Sequence, residues 1–100
     1  MGGKITRSTG NVFEDLGFPK EEAENLKVRS TLMAIIRTII TEEGLTQARA
    51  AKLFGVTQPR ISDLVRGKIE LFSIDALVNM VAASGRHVDV SVGTHKNEAA

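Results

Sequence analysis

The sequence contains no cysteine, no tryptophan and no tyrosine. Without cysteine the chain has no disulfides, no thiol nucleophile and no cysteine-ligated zinc, which is compatible with a reducing cytoplasm. The only aromatic residues are four phenylalanines, so recognition of single-stranded nucleic acid by stacking of bases on exposed rings is disfavoured. We predict packing roles for all four, which are Phe13, Phe18, Phe54 and Phe72.

Long apolar runs and clustered metal ligands are also missing. The longest uninterrupted apolar run, residues 32–36, is far too short to cross a bilayer, and we expect a cytoplasmic protein. His87 and His95 are the only histidines, and no cysteine or acid cluster stands near them at metal-ligand spacing. No nucleophile-elbow pattern or phosphate-binding loop occurs either. The sequence therefore predicts a protein that is not an enzyme and has neither metal nor cofactor.

The charge of the chain is concentrated in one window. One hundred residues with 42% apolar content suit a single small domain, and the formal net charge is only +1. Residues 46–68, however, contain one acidic residue, Asp63, and five basic residues, which are Arg49, Lys52, Arg60, Arg66 and Lys68. A localised basic surface of this kind is suited to binding phosphate groups.

The same window contains two short helical patterns joined by a tight turn. Thr46 and Thr57 are good N-caps for helices that run to about Phe54 and about Arg66. Gly55 between them can adopt the left-handed conformation that a steep helix–helix junction requires. The apolar or small positions that would face inward are Ala50, Ala51, Phe54, Val56, Ile61 and Leu64. This pattern predicts a helix-turn-helix, although an ordinary helical hairpin also needs glycine and apolar periodicity.

The flanking segments have simpler patterns. A flexible arm is predicted over residues 1–18, a helical domain over residues 19–85, with the helix-turn-helix at 46–67, and a polar tail over residues 94–100.

Helical periodicity runs from Pro19 to residue 43, and we favour a bend near residues 28–31 because serine and threonine there could cap a second helix. Ser73 can cap a helix ending near residue 83. Residues 86–93 alternate polar residues with valine and predict a strand that needs a partner, most simply its own copy in a second chain.

Residues 47–66 resemble the helix-turn-helix of the phage Cro and repressor family, the XRE family. The resemblance rests on the spacing of Ala51, Gly55, Ile61 and Leu64. It implies an all-α, Cro/repressor-like domain of four to five helices, with core helices near residues 31–43, 46–54, 57–66 and 73–83. The added strand and amphipathic arm look like those of HigA-type antitoxins, which implies autoregulation of an operon and neutralisation of a RelE/HigB-like ribonuclease toxin. A stand-alone phage-type or accessory-gene repressor remains open, as does an interaction module that has lost DNA binding.

The family resemblance implies that the second helix lies in the major groove of duplex DNA. We set Ile61, Leu64 and Val65 toward the core. The residues then expected to contact bases are Gln58, Pro59, Arg60, Ser62 and Asp63.

Each expected base contact has a chemical rationale. The Gln58 amide could bind adenine at two points, and Arg60 could read guanine or grip phosphate. The Asp63 carboxylate could accept a hydrogen bond from the amino group of cytosine, or its role could be limited to orienting Arg66. The residues expected to contact phosphates are Gln47, Arg49, Lys52, Thr57, Arg66 and Lys68.

Two further surfaces follow from the residues outside the helix-turn-helix. Residues 11–27 hold five acids against two lysines, with apolar residues between them, and an acidic, apolar segment could cover the basic surface of a ribonuclease. The alternative is a solvated helix whose phenylalanines fold back onto the domain. The residues expected to bind a toxin are Phe13, Glu14, Asp15, Leu16 and Phe18, and those expected in a dimer seam are Val88, Val90 and Val92.

Overall fold

The computed structural model describes residues 11–94, and within that range the chain is helical without any strand. The helices, in chain order, are α1 (Val12–Asp15), α2 (Lys20–Glu42), α3 (Gln47–Phe54), α4 (Gln58–Val65) and α5 (Ile74–Ala83), with a single 3-10 turn (Ile69–Leu71) between α4 and α5. The predicted all-helical architecture is therefore confirmed. Residues 1–10 of the predicted arm, residues 95–100 of the predicted tail and His95 lie outside the described range.

Hydroxyl side chains fix the starts of the last three helices at the positions that the sequence predicts. In each case the amide three residues on donates to the cap hydroxyl: Arg49 to Thr46 at 3.1 Å, Arg60 to Thr57 at 3.4 Å, and Ala76 to Ser73 at 3.1 Å. These bonds satisfy backbone donors that the first helical turn leaves without an intrahelical partner.

Helix α2 is one continuous helix of 23 residues, so the predicted bend near residues 28–31 is wrong. No glycine or proline occurs between Lys20 and Glu42, so nothing interrupts the backbone ladder. The Ser30 hydroxyl donates back to the Lys27 carbonyl at 3.1 Å, a bond that a helix interior accommodates, and it does not cap a new helix. Despite the length of α2, none of the helices in residues 11–94 is long and apolar enough to cross a membrane.

The core is formed jointly by the second half of α2 and by α3, α4 and α5. Its buried residues are Leu32, Met33, Ile36, Ile39, Ala50, Ala51, Phe54, Ile61, Leu64, Phe72, Leu77, Met80 and Val81. Phe54 and Phe72 are each only 1% exposed, which confirms their predicted packing role. Burial of such large apolar side chains is the main favourable contribution to the free energy of folding.

The junction between α3 and α4 depends on Gly55. Its φ of 70° and ψ of 33° lie in the left-handed region, which residues with a Cβ rarely adopt. The following amide, that of Val56, donates to the Ala51 carbonyl at 2.9 Å and closes the turn. A Cβ on Gly55 would lie 3.4 Å from the Cβ of Ala83 in α5. The turn is therefore left-handed and lies within van der Waals range of α5.

The predicted strand over residues 86–93 is absent from the single chain, because residues 86–94 adopt no regular secondary structure. Arg86 anchors the start of this segment by pairing with Glu43 at 2.7 Å. Val88 is partly buried against the core, whereas Val90 and Val92 are 81% and 92% exposed. The alternation is present in the sequence, but the described part of the chain contains no second strand with free backbone groups to pair with it.

Residues 11–18, which we call the hook, fold onto α2. Asn11 is 3% exposed; its side-chain oxygen accepts from the Phe13 amide at 3.0 Å, and its side-chain nitrogen donates to the Ala23 carbonyl at 3.0 Å. The rings of Phe13 and Phe18 meet edge to face with centroids 6.2 Å apart. One side chain thus caps α1 and joins it to α2.

We predict that Asn11→Ala loosens the hook without unfolding the domain. Loss of the cap costs about 1–2 kcal/mol, so hydrogen exchange of the Leu16 and Phe18 amides should accelerate about tenfold. Asn79→Ala, at an exposed position on α5, is the matched control and should leave both amides unchanged. Equal exchange in all three proteins would show that Asn11 does not hold the hook.

Candidate nucleic-acid interface

Helix α4 buries one face and exposes its start. Ile61 and Leu64 are fully buried, as predicted, while Gln58 and Pro59 in the first turn are exposed. Val65, which we expected to face inward, is 39% exposed. It is the last residue of α4, and one step along a helix rotates the side chain by about 100° away from Leu64. The exposed face of α4 is therefore wider and more apolar at its C-terminal end than the sequence suggested.

Arg60 is half-buried and rests on the core. Its guanidinium carbon lies 4.5 Å from the centroid of the Phe72 ring, a cation–π contact. Within residues 11–94 its side chain makes no hydrogen bond or ion pair. A guanidinium carries its five N–H donors in its plane, and none of those of Arg60 is hydrogen-bonded within residues 11–94, so they are available to another molecule.

Ser62 and Asp63 are half-buried in the middle of α4. The Asp63 carboxylate lies 3.9 Å from the ammonium of Lys68. The backbone carbonyl of Asp63 accepts a hydrogen bond from the Lys68 amide at 3.0 Å. The partner of Asp63 is thus Lys68 and not Arg66. Gly67, with a φ of 75°, reverses the chain after α4 and returns Lys68 over Asp63. This carboxylate offsets part of the charge that Lys68 could offer to a phosphate.

Most of the residues expected to contact phosphate are exposed around α3 and the end of α4. Those with exposed side chains are Gln47, Arg49, Lys52, Thr57 and Arg66. Apart from Thr57, whose hydroxyl oxygen caps α4, these side chains make no hydrogen bond or ion pair within residues 11–94. Gln47 is the first residue of α3, where backbone N–H groups favour an anion. The fold therefore leaves four polar or basic side chains free to meet phosphates.

Arg29 and Arg37 near this surface were not predicted. Arg29 of α2 donates from Nη1 to the carbonyls of Ile69 and Phe72, at 3.2 and 3.3 Å. Nη1 of Arg37 would lie 3.9 Å from a Cβ on Gly67, so this guanidinium is beside the turn that follows α4. About thirty to forty residues of sequence separate each arginine from the residues that it contacts. The packing of α2 against the turn after α4 brings them together.

The residues expected to bind a toxin or a second copy lie outside the exposed start of α4. In the hook, Asp15 is exposed and Glu14 half-buried, while Leu16 and Phe18 are 70% and 38% exposed. Phe13 is half-buried and lines one cleft with Arg37, Gly67 and Ile69. Of the dimer candidates, only Val88 touches the core.

A groove lies between α2, α5 and the segment that carries the dimer candidates. The apolar side chains that line it include Val28 and Ile35 of α2, Val78 of α5, and Val88 and Val90. Val28 and Ile35 are 42% and 47% exposed. Charged side chains, among them Glu24, Lys27 and Arg86, also line the groove, so its apolar floor has a polar surround.

Comparison with known proteins identifies the fold. A sequence profile described as a helix-turn-helix domain matches residues 12–93. A solved structure of a protein that its name assigns to the XRE family of transcriptional regulators superimposes with a TM-score of 0.69 at 28% identity, covering 79% of this chain and 89% of that one. No curated protein matches the sequence.

The matched residues include all five helices described above. Among them are α3 and α4, the capped helices on either side of Gly55. The chain therefore belongs to the helix-turn-helix domain family, and its helix-turn-helix is of the XRE type.

Proposed function

We propose that the protein is a sequence-specific DNA-binding transcriptional repressor, and that it acts as a homodimeric antitoxin that regulates its own operon. The observation that carries the DNA-binding part is the start of α4. Gln58 is exposed there, and Arg60 presents unbonded donors beside it. Donor and acceptor groups at the start of a recognition helix are what the base edges of the major groove require.

The charge distribution supports the same proposal. Arg49, Lys52 and Arg66 are exposed without an acidic partner in the described part of the chain, and Arg37 adds a fourth cation from α2. These cations can neutralise backbone phosphates on either side of a groove occupied by α4. Base contacts from Pro59, Ser62 and Asp63 and phosphate contacts from Gln47, Thr57 and Lys68 belong to the proposal as well.

We predict that the protein binds duplex DNA upstream of its own gene and that binding weakens steeply with salt. Gln58→Ala should cost about 1–3 kcal/mol and relax base preference, whereas Arg66→Ala should weaken all sequences alike and reduce the salt slope by about one. Arg66 is a cleaner phosphate probe than Lys68, because Lys68 is paired with Asp63. Fluorescence anisotropy with upstream and random duplexes makes the measurement. Folded protein that shows no preference for the upstream duplex at low salt would contradict DNA-binding specificity.

A homodimer is proposed because one eight-residue helix contacts too few base pairs for useful specificity. Two copies related by a two-fold axis would place their recognition helices about 34–36 Å apart, one turn of DNA. Val90 and Val92 are 81% and 92% exposed, and Val90 lines the groove together with Val28 and Ile35. Pairing of residues 86–93 with the same segment of a second copy would satisfy their backbone groups and cover these side chains.

We predict that the double substitution Val90→Asp and Val92→Asp gives a monomer with weaker operator binding. Both side chains are exposed in the single chain, so the fold of the monomer should not change, while a strand seam would bring like charges together. Asn79→Asp is the control, because it adds a carboxylate at an exposed position of α5 that does not line the groove. Sedimentation velocity measures the outcome. A double variant that remains dimeric would place the seam elsewhere, for example on α2.

The antitoxin part of the proposal is supported by the hook. Val12, Leu16 and Phe18 are exposed by 61%, 70% and 38%, and they are interspersed with the acids Glu14 and Asp15. An acidic surface with apolar anchors complements the basic RNA-binding surface expected of a RelE/HigB-like ribonuclease. The competing function is a stand-alone repressor, and a neighbouring gene for a small basic protein would favour the antitoxin.

We predict that Val12→Ser with Leu16→Ser abolishes neutralisation of the neighbouring toxin on co-expression while operator binding is retained. Substitutions are sharper than deletion of residues 1–27, because that deletion would also remove the buried Ala23 and Leu26 of α2. Leu71→Ser, at a position 42% exposed outside the hook, is the control and should rescue growth as well as the wild type does. Full rescue by the hook variant would exclude the hook as the toxin-binding segment.

A further inference from the structure

We propose that Phe72 and Arg29, neither of which belongs to the helix-turn-helix, are positioning residues that set the base preference of Arg60. This inference rests on the proposed DNA-binding function and adds to it a determinant of specificity. The three residues form a chain of contacts that runs from α2, through the turn after α4, to the start of α4 itself.

The first link is the contact between Arg60 and Phe72. The Phe72 ring is 1% exposed, so its position is set by the core. The Arg60 guanidinium carbon lies over the ring, 4.5 Å from its centroid, which restricts where the group lies. Its side chain has no hydrogen bond or ion pair in the described part of the chain, so the contact with the ring is the specific interaction that the structure shows for this guanidinium.

The second link holds the backbone that carries the ring. Nη1 of Arg29 donates to the carbonyls of Ile69 and Phe72, at 3.2 and 3.3 Å, and Nε donates to the Asn25 side chain at 2.7 Å. The two carbonyls lie at either end of the 3-10 turn. One guanidinium on the long helix α2 therefore fixes the turn, and with it the Phe72 backbone, relative to the rest of the domain.

The physical consequence concerns the free edge of the Arg60 guanidinium. A bidentate contact to guanine requires two N–H groups in a defined plane and direction. A solvated arginine must lose much of its rotamer freedom to reach that geometry. Arg60 loses part of this freedom in the free protein because it already rests on Phe72. The positioned guanidinium can make its two-point contact only at the base pair that it reads. Positioning therefore increases the preference for that base pair more than it increases the affinity for DNA in general.

The test measures binding of single-base-pair variants of the upstream duplex by anisotropy, with the full chain. Arg60→Ala first identifies the base pair whose preference depends on Arg60. Phe72→Leu should reduce the preference at that same base pair about fivefold, the loss expected for a cation–π contact of intermediate strength. Arg29→Gln should reduce the same preference by a smaller factor, because it releases the backbone that carries the ring but leaves the ring in place. Affinity for random duplex should stay within about twofold, because the contacts to phosphate are unaltered.

A double-mutant cycle separates positioning from general destabilisation. In the Arg60→Ala background, Arg29→Gln should have no further effect on base preference, whereas a loss of fold would persist in that background. Lys27→Gln removes the same charge from an exposed position on α2 and should leave the preference unchanged. If Phe72→Leu fails to fold, the Arg29 cycle carries the test by itself.

A spectroscopic measurement on the free protein gives an independent readout. Protons above an aromatic ring shift upfield, so the Arg60 side-chain resonances should be displaced in the wild type and should move toward random-coil values in Arg29→Gln. Wild-type protein without any preference for the upstream duplex would overturn the proposed function itself. Specific wild-type binding with an unchanged preference in both variants, or the absence of any Arg60-dependent base pair, would overturn the positioning role alone.

Discussion

The steep junction at Gly55 is the constraint on which the rest of the molecule depends. A left-handed residue lets α3 end and α4 begin within three residues, and residues with a Cβ rarely adopt this conformation. Because the two helices diverge there, Phe54, Ile61 and Leu64 can all enter one core between α2 and α5. The same divergence leaves the start of α4 uncovered.

Burial and exposure on α4 are consequences of one packing arrangement. Ile61 and Leu64 direct one face into the core, and the capped first turn with Gln58 then points away from it. Arg60 lies at the boundary between these faces, with its guanidinium on a buried ring and its donors unbonded. The core therefore does more than stabilise the fold, because one of its buried rings, Phe72, also contacts a polar group at the surface.

The distribution of charge follows the same division of the molecule. The basic side chains cluster on α3 and after α4, and an acidic, partly apolar surface lies on the hook and the start of α2. A formal net charge of +1 hides this separation. Two surfaces of opposite sign on one small domain suit two partners of different chemistry, a polyanion and a basic protein.

Local chemistry allowed the sequence to determine the helix-turn-helix and the start of the helix that follows it. The sequence shows three short-range features, which are the three hydroxyl caps, the glycine turn and the inward-facing residues around Ala51, Ile61 and Leu64. All are present in the structure.

Features that depend on distant segments were not determined in this way. The continuity of α2 was missed because capping residues near Ser30 suggested a break, yet a helix without glycine or proline has no reason to end there. The valine alternation at residues 86–93 shows a β-like pattern, but a strand exists only where another backbone lies beside it. Arg29, Arg37 and the ring under Arg60 became relevant only once α2 and the turn after α4 were packed together, because contacts across some ten to forty residues of sequence leave no periodic signal in the chain.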